Sequence, residues 1–435
     1  MNDNNKTQVI VVGGGPAGIS SAITIAKSGI EVILIERGDF SGSKNMFGGA
    51  IYAQPTKEIF PDFEKFAPVE RRNIKHNYAI LCENDSTTIT YRDNTEFSNS
   101  YTVIRSKFDR WMAEEAKKAG VILVTQTVVK ELLIENSKVV GVKTELEDYY
   151  ADVVILADGV NSLLARQIGL RKDFKPKDVA LGVKEVIKLS KEKINQRFNL
   201  NDDEGCVTEI FGYPMLGELG LGYMYTNKDS VTIGLGITLS ELIKNKIKPY
   251  ELLDKLKAHK SIEPFIADGE VVEYSAHLIP EGGYKKIPKL YADGVLIVGD
   301  SATLVNNLHW EGTNLAMISG KIAGETVISA FSKKDFTKKT LSLYKKKLDK
   351  SFIMADMKSY KDLMTIMHKS SSSFLDFYLR KINKFFKMFI EVDSIPKKNK
   401  FRNFIFTTLK ERGIIGLLKD LIRVLKLLWG ILKWV

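Results

Sequence analysis

Glycines 13, 15 and 18 in VIVVGGGPAGIS (residues 9–20) have the spacing that brings a backbone against a pyrophosphate. Gly13 permits a tight turn, Gly15 lets the main chain approach the phosphates, and Gly18 lets the following helix pack closely on the strand. Pro16 and Ala17 open that helix, whose free N–H groups and partial positive charge suit an anion. Glu36, at the end of the next apolar run, can accept hydrogen bonds from both hydroxyls of a ribose, and Arg37 follows it. The spacing alone does not separate FAD from NAD. Two distant strand ends do: Asp158-Gly159 in VVILADGVNSLLAR and Gly299-Asp300 in GVLIVGDSATLVNN. A carboxylate there, beside a glycine and facing a helix N-terminus, is placed to hold the ribityl chain of a flavin. An isolated Gly-Asp reads first as a helix cap; with the glycine fingerprint upstream, FAD is the better account.

The elements needed to position these groups are legible as strand, glycine turn, helix, strand over residues 8–39. The fold class expected is therefore α/β: a Rossmann-type FAD-binding domain, an inserted mixed β-sheet substrate domain and a helical C-terminal region. The boundaries expected are 1–72, 101–170 and 290–330 for the discontinuous FAD-binding domain, and 73–100 with 171–289 for the substrate or quinone-side domain. A basic helical region spans 331–413, and an amphipathic helix spans 414–435. The 435 residues, 44% of them apolar, can bury the cores of two or three domains. Cys82 and Cys206 are the only cysteines, too few for a disulfide framework or a four-cysteine metal site. The five histidines have no metal-ligand spacing, so no metal is expected. Residues 1–8 carry no apolar stretch of the kind that marks a secretory signal.

GGGPAG, the strand-end Asp-Gly and the late Gly-Asp resemble a flavoprotein class that includes aromatic hydroxylases, geranylgeranyl reductases and electron-transfer-flavoprotein:quinone oxidoreductases. ERGDFSGSKNMFGGAIY (36–52), YTVIRSKFDRWMAEEAKKAGV (101–121), LGYMYTNKDSVTIGLGI (221–237) and LIPEGGYKKIPKLYADGVLIVGDSA (278–302) resemble the FixC-like branch of the last family. The resemblance implies that Lys44, Asn45, Gly48 and Gly49 lie beside the flavin ring and that Arg105 contacts the FAD. Gly312, Thr313 and Asn314 complete the expected cofactor set. It also implies a donor, an electron-transferring flavoprotein, and an acceptor, a membrane quinone. Full-length family members hold a 4Fe–4S cluster on cysteines that this chain does not have. In the FixC-like branch a separate ferredoxin-like subunit is thought to supply it. His309, in NNLHWEGTN, is the one histidine expected near the ring, and packing or hydrogen bonding suits it better than proton donation. A prenyl-lipid (geranylgeranyl) reductase is the rival within the fold, although the aromatic and cysteine signatures of those enzymes are not found here. A non-catalytic flavoprotein subunit that anchors a complex is the rival outside enzymology.

Charge is divided unevenly. Residues 331–435 carry 25 Lys and Arg against 9 Asp and Glu, whereas residues 1–330 carry 39 against 44. The aromatics interleaved with the lysines form no recognisable nucleic-acid module, so an interaction surface is the reading and nucleic acid is not an expected partner. From residue 414 the chain reads IIGLLKDLIRVLKLLWGILKWV, long enough to span a bilayer but with charges in its middle that oppose spanning. Lys419, Arg423, Lys426 and Lys433 along one face, with Trp429 and Trp434 near one end, suit a helix lying in a membrane surface. The expected location is cytoplasmic, peripheral on the inner face of the cell membrane.

Overall fold

The computed structural model describes residues 6–44, 48–95, 99–215, 220–307, 310–362 and 373–432. Two compact units divide the chain. The first comprises residues 1–72, 95–180 and 275–358; the second comprises 73–94, 181–274 and 359–435. Residues 331–358, grouped by sequence with the basic C-terminal region, fall in the first unit.

In the first unit the strand Lys6–Val12 lies between Asp148–Leu156 and Val32–Ile35, parallel to both. Val295–Ile297 extends the parallel sheet on one side and Ile122–Val124 on the other. Val9, Ile10 and Val11 are wholly buried, as an unbroken apolar run in a parallel strand covered on both faces requires. Val129–Glu135 and Lys138–Thr144 form an antiparallel hairpin that joins the sheet through the start of Asp148–Leu156.

The helix Pro16–Ala26 packs against Thr313–Lys333, which comes from near the other end of the sequence. Their axes approach closely because Gly320 faces the main chain of the first helix: a Cβ there would stand 2.1 Å from the Ala17 carbonyl oxygen. Close packing of this kind gains dispersion contacts that a side chain would forfeit.

The second unit is built on a sheet with the order Glu270–Pro280, Val179–Lys188, Ser230–Thr238, Gly220–Thr226, Glu204–Gly212, Val69–Leu81, the last hairpinned to Ser86–Arg92. The first, second and sixth of these strands also run into the first unit. Every residue of Ser230–Thr238 is buried. Phe198, Leu252, Leu253 and Leu256, from the helices Lys191–Phe198 and Pro249–Lys257, complete an apolar core with Ile233 and Leu235.

Three further helices, Ser373–Ile390, Lys397–Arg412 and Ile414–Leu432, end the second unit. The first of them packs on Ser86–Arg92 and Glu204–Gly212. It is fastened by Asn383, whose Nδ2 donates to Asp85 Oδ1 at 2.9 Å and to the Ile80 carbonyl at 3.2 Å. The last helix is held by its polar residue: Asp420, 1% exposed, accepts from Arg412 Nε at 2.6 Å, from Arg423 at 2.8 Å and from the Tyr378 hydroxyl at 3.2 Å. Arg423 lies between the exposed Lys419 and Lys426 on the helix, and its half-exposed side chain folds onto Asp420. Ile414, Ile415, Leu418, Leu421, Leu425 and Trp429 are exposed, Trp429 to 69%. Phe386, Phe389, Ile405 and Phe406 on the two preceding helices are exposed as well. Lys433 and Trp434 lie outside the described residues. Among the described residues no helix is long and apolar enough to cross a membrane.

Candidate functional site

Register decides where the chemistry gathers. Val12 pairs with Ile35 and with Leu156, and Leu156 with Ile297, so four parallel strands end together. The residues that follow them are Gly13, Glu36, Ala157-Asp158 and Val298-Gly299-Asp300. In open α/β sheets the crevice outside the carboxyl ends of the strands is where ligands bind. Three hydrogen bonds extend the register past the strands: Gly13 N–H to Ile35 O at 2.8 Å, Ala157 N–H to Val12 O at 2.8 Å, and Val298 N–H to Leu156 O at 3.0 Å.

Gly13 has φ +106°, and a Cβ there would lie 2.2 Å from the Ala157 carbonyl oxygen, so no other residue fits this turn. Gly15 is extended, at φ −84° and ψ −179°, and caps the helix that Pro16 begins. Pro16 needs no N–H partner at this position. The first turn carries no acidic side chain, which leaves its positive end unneutralised. Glu36 sits beside this turn: its Oε2 accepts from the Gly14 N–H and its Oε1 from the Gly38 N–H, both at 2.7 Å. Arg37 and Lys44 are exposed next to it.

Arg105 and Asp109 form a buried bidentate pair at 2.7 and 2.8 Å, and a third guanidinium N–H reaches Thr313 Oγ1 at 3.2 Å. The pair lies one helical turn apart and is buried, and it aims Arg105 at the N-terminus of Thr313–Lys333. Gly48 lies at the same place: a Cβ on it would be 3.5 Å from Arg105 Nη1 and 3.6 Å from Thr313 Oγ1. The Gly49 carbonyl accepts from the Val103 N–H at 2.8 Å. Gly312 caps the helix, and Asn314 is spent on structure, its Oδ1 accepting from the Tyr52 N–H at 2.9 Å and its Nδ2 donating to Thr56 Oγ1 at 3.0 Å. Asn45 and His309 lie outside the described residues.

The two strand-end aspartates are joined through groups that no local pattern announced. Asp158 Oδ1 accepts from Ser301 Oγ at 2.9 Å, and Gly159 O from the same hydroxyl at 3.1 Å. Arg171 donates to the Ser301 carbonyl at 2.6 Å and to Thr303 Oγ1 at 3.2 Å, pinning the turn that carries Asp300. Burial pushes the Asp300 carboxyl up to about 6 against the opposing pull of Arg105 and Arg171. Burial, with Arg105 and Arg37 nearby, pushes His277 down to about 4, so its imidazole is neutral in the crevice. Ser41 and Ser43 are a further pair missing from the sequence reading. Their hydroxyls are buried without a hydrogen-bond partner, and they flank the Glu36 turn, where Cβ atoms on Gly14 and Gly38 would meet them at 2.6 and 2.1 Å. Orphaned hydroxyls around an acidic strand end fit a polyhydroxylated ligand.

A raised carboxyl pKa reverses the usual pH dependence of stability. Between about pH 4 and 6 the folded protein keeps a proton on Asp300 that the unfolded chain releases, so this stabilisation is complete below that window and fades as pH rises through it. The FAD-free wild type should thus lose melting temperature relative to Asp300→Asn as pH is raised from about 4 to 7. A wild type that gains melting temperature relative to Asp300→Asn over this range would contradict this assignment.

The comparisons agree with the geometry. Residues 6–207 match the FAD binding domain family, residues 179–279 the ubiquinone-binding domain of ETF-QO, and residues 363–429 the ETF-QO/FixC family C-terminal domain. Fold and site define a flavoprotein oxidoreductase, and FAD is its cofactor. Protein FixC of Azorhizobium caulinodans is 42% identical over 97% of this chain and 98% of its own. The probable electron transfer flavoprotein-quinone oxidoreductase YdiS of Escherichia coli is 38% identical over 96% and 98%. This chain belongs to the ETF-QO/FixC family. Among solved structures, a geranylgeranyl bacteriochlorophyll reductase-like protein from Thermoplasma acidophilum shares the fold, with TM-score 0.74 and 20% identity over 99% of this chain and all of the other.

Proposed function

We propose that this enzyme takes electrons from an electron-transferring flavoprotein, with a separate ferredoxin-like subunit, and passes them to a quinone dissolved in the membrane. FAD accepts electrons singly or in pairs, which suits a relay from a one-electron carrier to a two-electron acceptor. In this reading Gly13, Gly15, Pro16, Ala17 and Gly18 receive the pyrophosphate, and Glu36 and Arg37 the adenosine ribose. Asp158, Gly159, Gly299 and Asp300 hold the ribityl chain. Lys44, Gly48, Gly49, Arg105, Gly312 and Thr313 border the ring, while Asn314 acts behind them by fixing residues 52–56 to the helix.

The observation that carries the proposal is the outward apolar face of the three C-terminal helices. A chain that keeps an intact FAD cradle and also displays Ile, Leu, Phe and Trp beside lysines is suited to meet an acceptor inside a bilayer. Docking would be peripheral, on the cytoplasmic face, where anionic lipids attract Lys384, Lys387, Lys410, Lys419 and Lys426.

Anaerobic mixing tests it. Reduced electron-transferring flavoprotein, with the ferredoxin-like subunit, should bleach the flavin, and a quinone should restore it, while NAD(P)H alone acts slowly. Rapid NADPH oxidation coupled to saturation of a prenyl lipid would move the assignment to the prenyl-reductase reading.

A further inference from the structure

Glu281 is a buried carboxyl of the first unit that the cofactor assignment leaves unused. It follows the strand Glu270–Pro280 and is 3% exposed. Its N–H donates to the Asp178 carbonyl at 2.8 Å, which fixes the backbone. Its Oε2 accepts from Asn307 Nδ2, and its Oε1 is buried with no hydrogen-bond partner. Asp178 and Lys286 pack against this turn. The Asp178 carboxylate is occupied by Lys286 at 3.1 Å, and His277, four residues earlier, is neutral. No ion pair therefore accounts for the carboxyl.

Its position in the chain's path is informative. Asn307 ends the segment that leaves the Asp300 turn, and the chain soon afterwards reaches Gly312-Thr313 at the head of the long helix. Glu281 thus leans on the stretch that links the proposed ribityl and ring sites. The turn is built for this contact: Gly283 has φ +60°, and a Cβ there would stand 3.0 Å from Asn307 Oδ1. Because Oε2 is already an acceptor for an amide N–H, the acidic proton of a neutral Glu281 must reside on Oε1, the oxygen without a protein partner. Most buried side-chain polar atoms have a partner, and this oxygen does not.

We propose that Glu281, oriented by Asn307, is the group that delivers a proton to the quinone as it is reduced. This rests on the quinone-reducing reading above. Converting a quinone to a quinol adds two electrons and two protons. A reduced flavin in its anionic form would supply both electrons and one proton, so the second proton must come from elsewhere. The Oε1–H bond of Glu281 breaks as an O–H bond forms on a quinone oxygen, and the carboxylate left behind takes a proton from water. Burial pushes this carboxyl up to about 7, where it can both give and regain a proton at neutral pH.

The test uses Glu281→Gln, which keeps an oxygen for Asn307 but has no acidic proton. First, infrared titration of the FAD-free wild type minus E281Q should show a carboxylic-acid carbonyl band that disappears with a midpoint near pH 7. Second, pre-reduced enzyme is mixed with a water-soluble quinone or with ferricenium, an acceptor that takes no proton. The wild-type quinone rate should fall about tenfold per unit above the midpoint, and E281Q should lower the quinone-to-ferricenium ratio about 100-fold and flatten its pH profile. An unchanged ratio in E281Q, or no titrating band, overturns the proposal while leaving quinone reduction intact. Wild type that reacts with ferricenium but not with quinone removes the quinone reading and this proposal together. If E281Q does not hold FAD, the wild-type profiles decide, since equal pH dependence with both acceptors also overturns it.

Discussion

Gly15→Arg is expected to yield a folded but colourless protein. The backbone at Gly15 is in an extended conformation open to any residue, so the substitution introduces no strain in the turn. What it removes is space, because the side chain occupies the approach by which the main chain meets the pyrophosphate. Each hydrogen bond to a charged oxygen contributes about 1.5–3 kcal/mol, so losing two weakens FAD binding by about 100-fold to 10,000-fold. The flavin content of the purified protein and a titration with added FAD measure this directly. Gly13→Ala makes the informative contrast. Its Cβ would collide with Ala157 and its φ is positive, so melting temperature should fall even without FAD. A Gly15→Arg protein that retains FAD would place the pyrophosphate elsewhere.

The second large effect is expected at the C-terminal helix. A chain ending at Gly413 loses the exposed Ile414, Ile415, Leu418, Leu421, Ile422, Leu425, Leu428 and Trp429 together with the outward Lys419 and Lys426. The two lysines alone account for about 2 kcal/mol near an anionic surface, and the apolar side chains contribute more. Binding to anionic vesicles should drop by about 100-fold or more, and turnover of a long-chain quinone with it. FAD content and reaction with a water-soluble quinone should persist, because the cradle lies in the first unit. High salt should weaken vesicle binding of the full chain without abolishing it. Asp420→Ala separates tethering from docking: it unties the helix from Arg412 and Tyr378 but keeps the apolar face, so vesicle binding should survive. If the truncated chain binds vesicles as well as the full one, the anchor resides in Phe386, Phe389, Ile405 and Phe406.

The parts of this site that were legible in the sequence are those whose chemistry is local. The glycine turn, Glu36 and the two strand-end aspartates each announce themselves within a few residues, because a strand, a turn and a helix start are contiguous. Arg171 and Ser301 carry no such signal. Arg171 reaches Ser301 across 130 residues, and only the parallel pairing of Asp148–Leu156 with Val295–Ile297 brings those segments together. Glu281 and Asn307, 26 residues apart, were hidden for the same reason. In the C-terminal helix the spacing of the cations was clear, but the folding of Arg423 onto Asp420 was not. Asp420 is the residue that turns inward, and its pull on Arg423 depends on a tertiary contact with Arg412 that periodicity does not contain. Asn314, expected at the cofactor, also holds residues 52–56 through side-chain bonds to a distant segment that its own neighbours in the sequence do not reveal.

The pairing of Pro16–Ala26 with Thr313–Lys333 also bears on biogenesis. The nascent chain emerges with its glycine turn first, yet the strand Val295–Ile297 and the helix that packs on Ala17, Ser21 and Thr24 arrive only after some three hundred residues have been synthesised. Until then the face of the first helix carrying Ala17, Ser21 and Thr24 is uncovered, and the sheet has an open edge along Asp148–Leu156. Such long-range closure slows folding and leaves an aggregation-prone intermediate. Ribosome-arrested chains stopped before residue 290 should therefore be chaperone clients unable to take up FAD, and acquisition of the cofactor should be a post-translational or very late co-translational event.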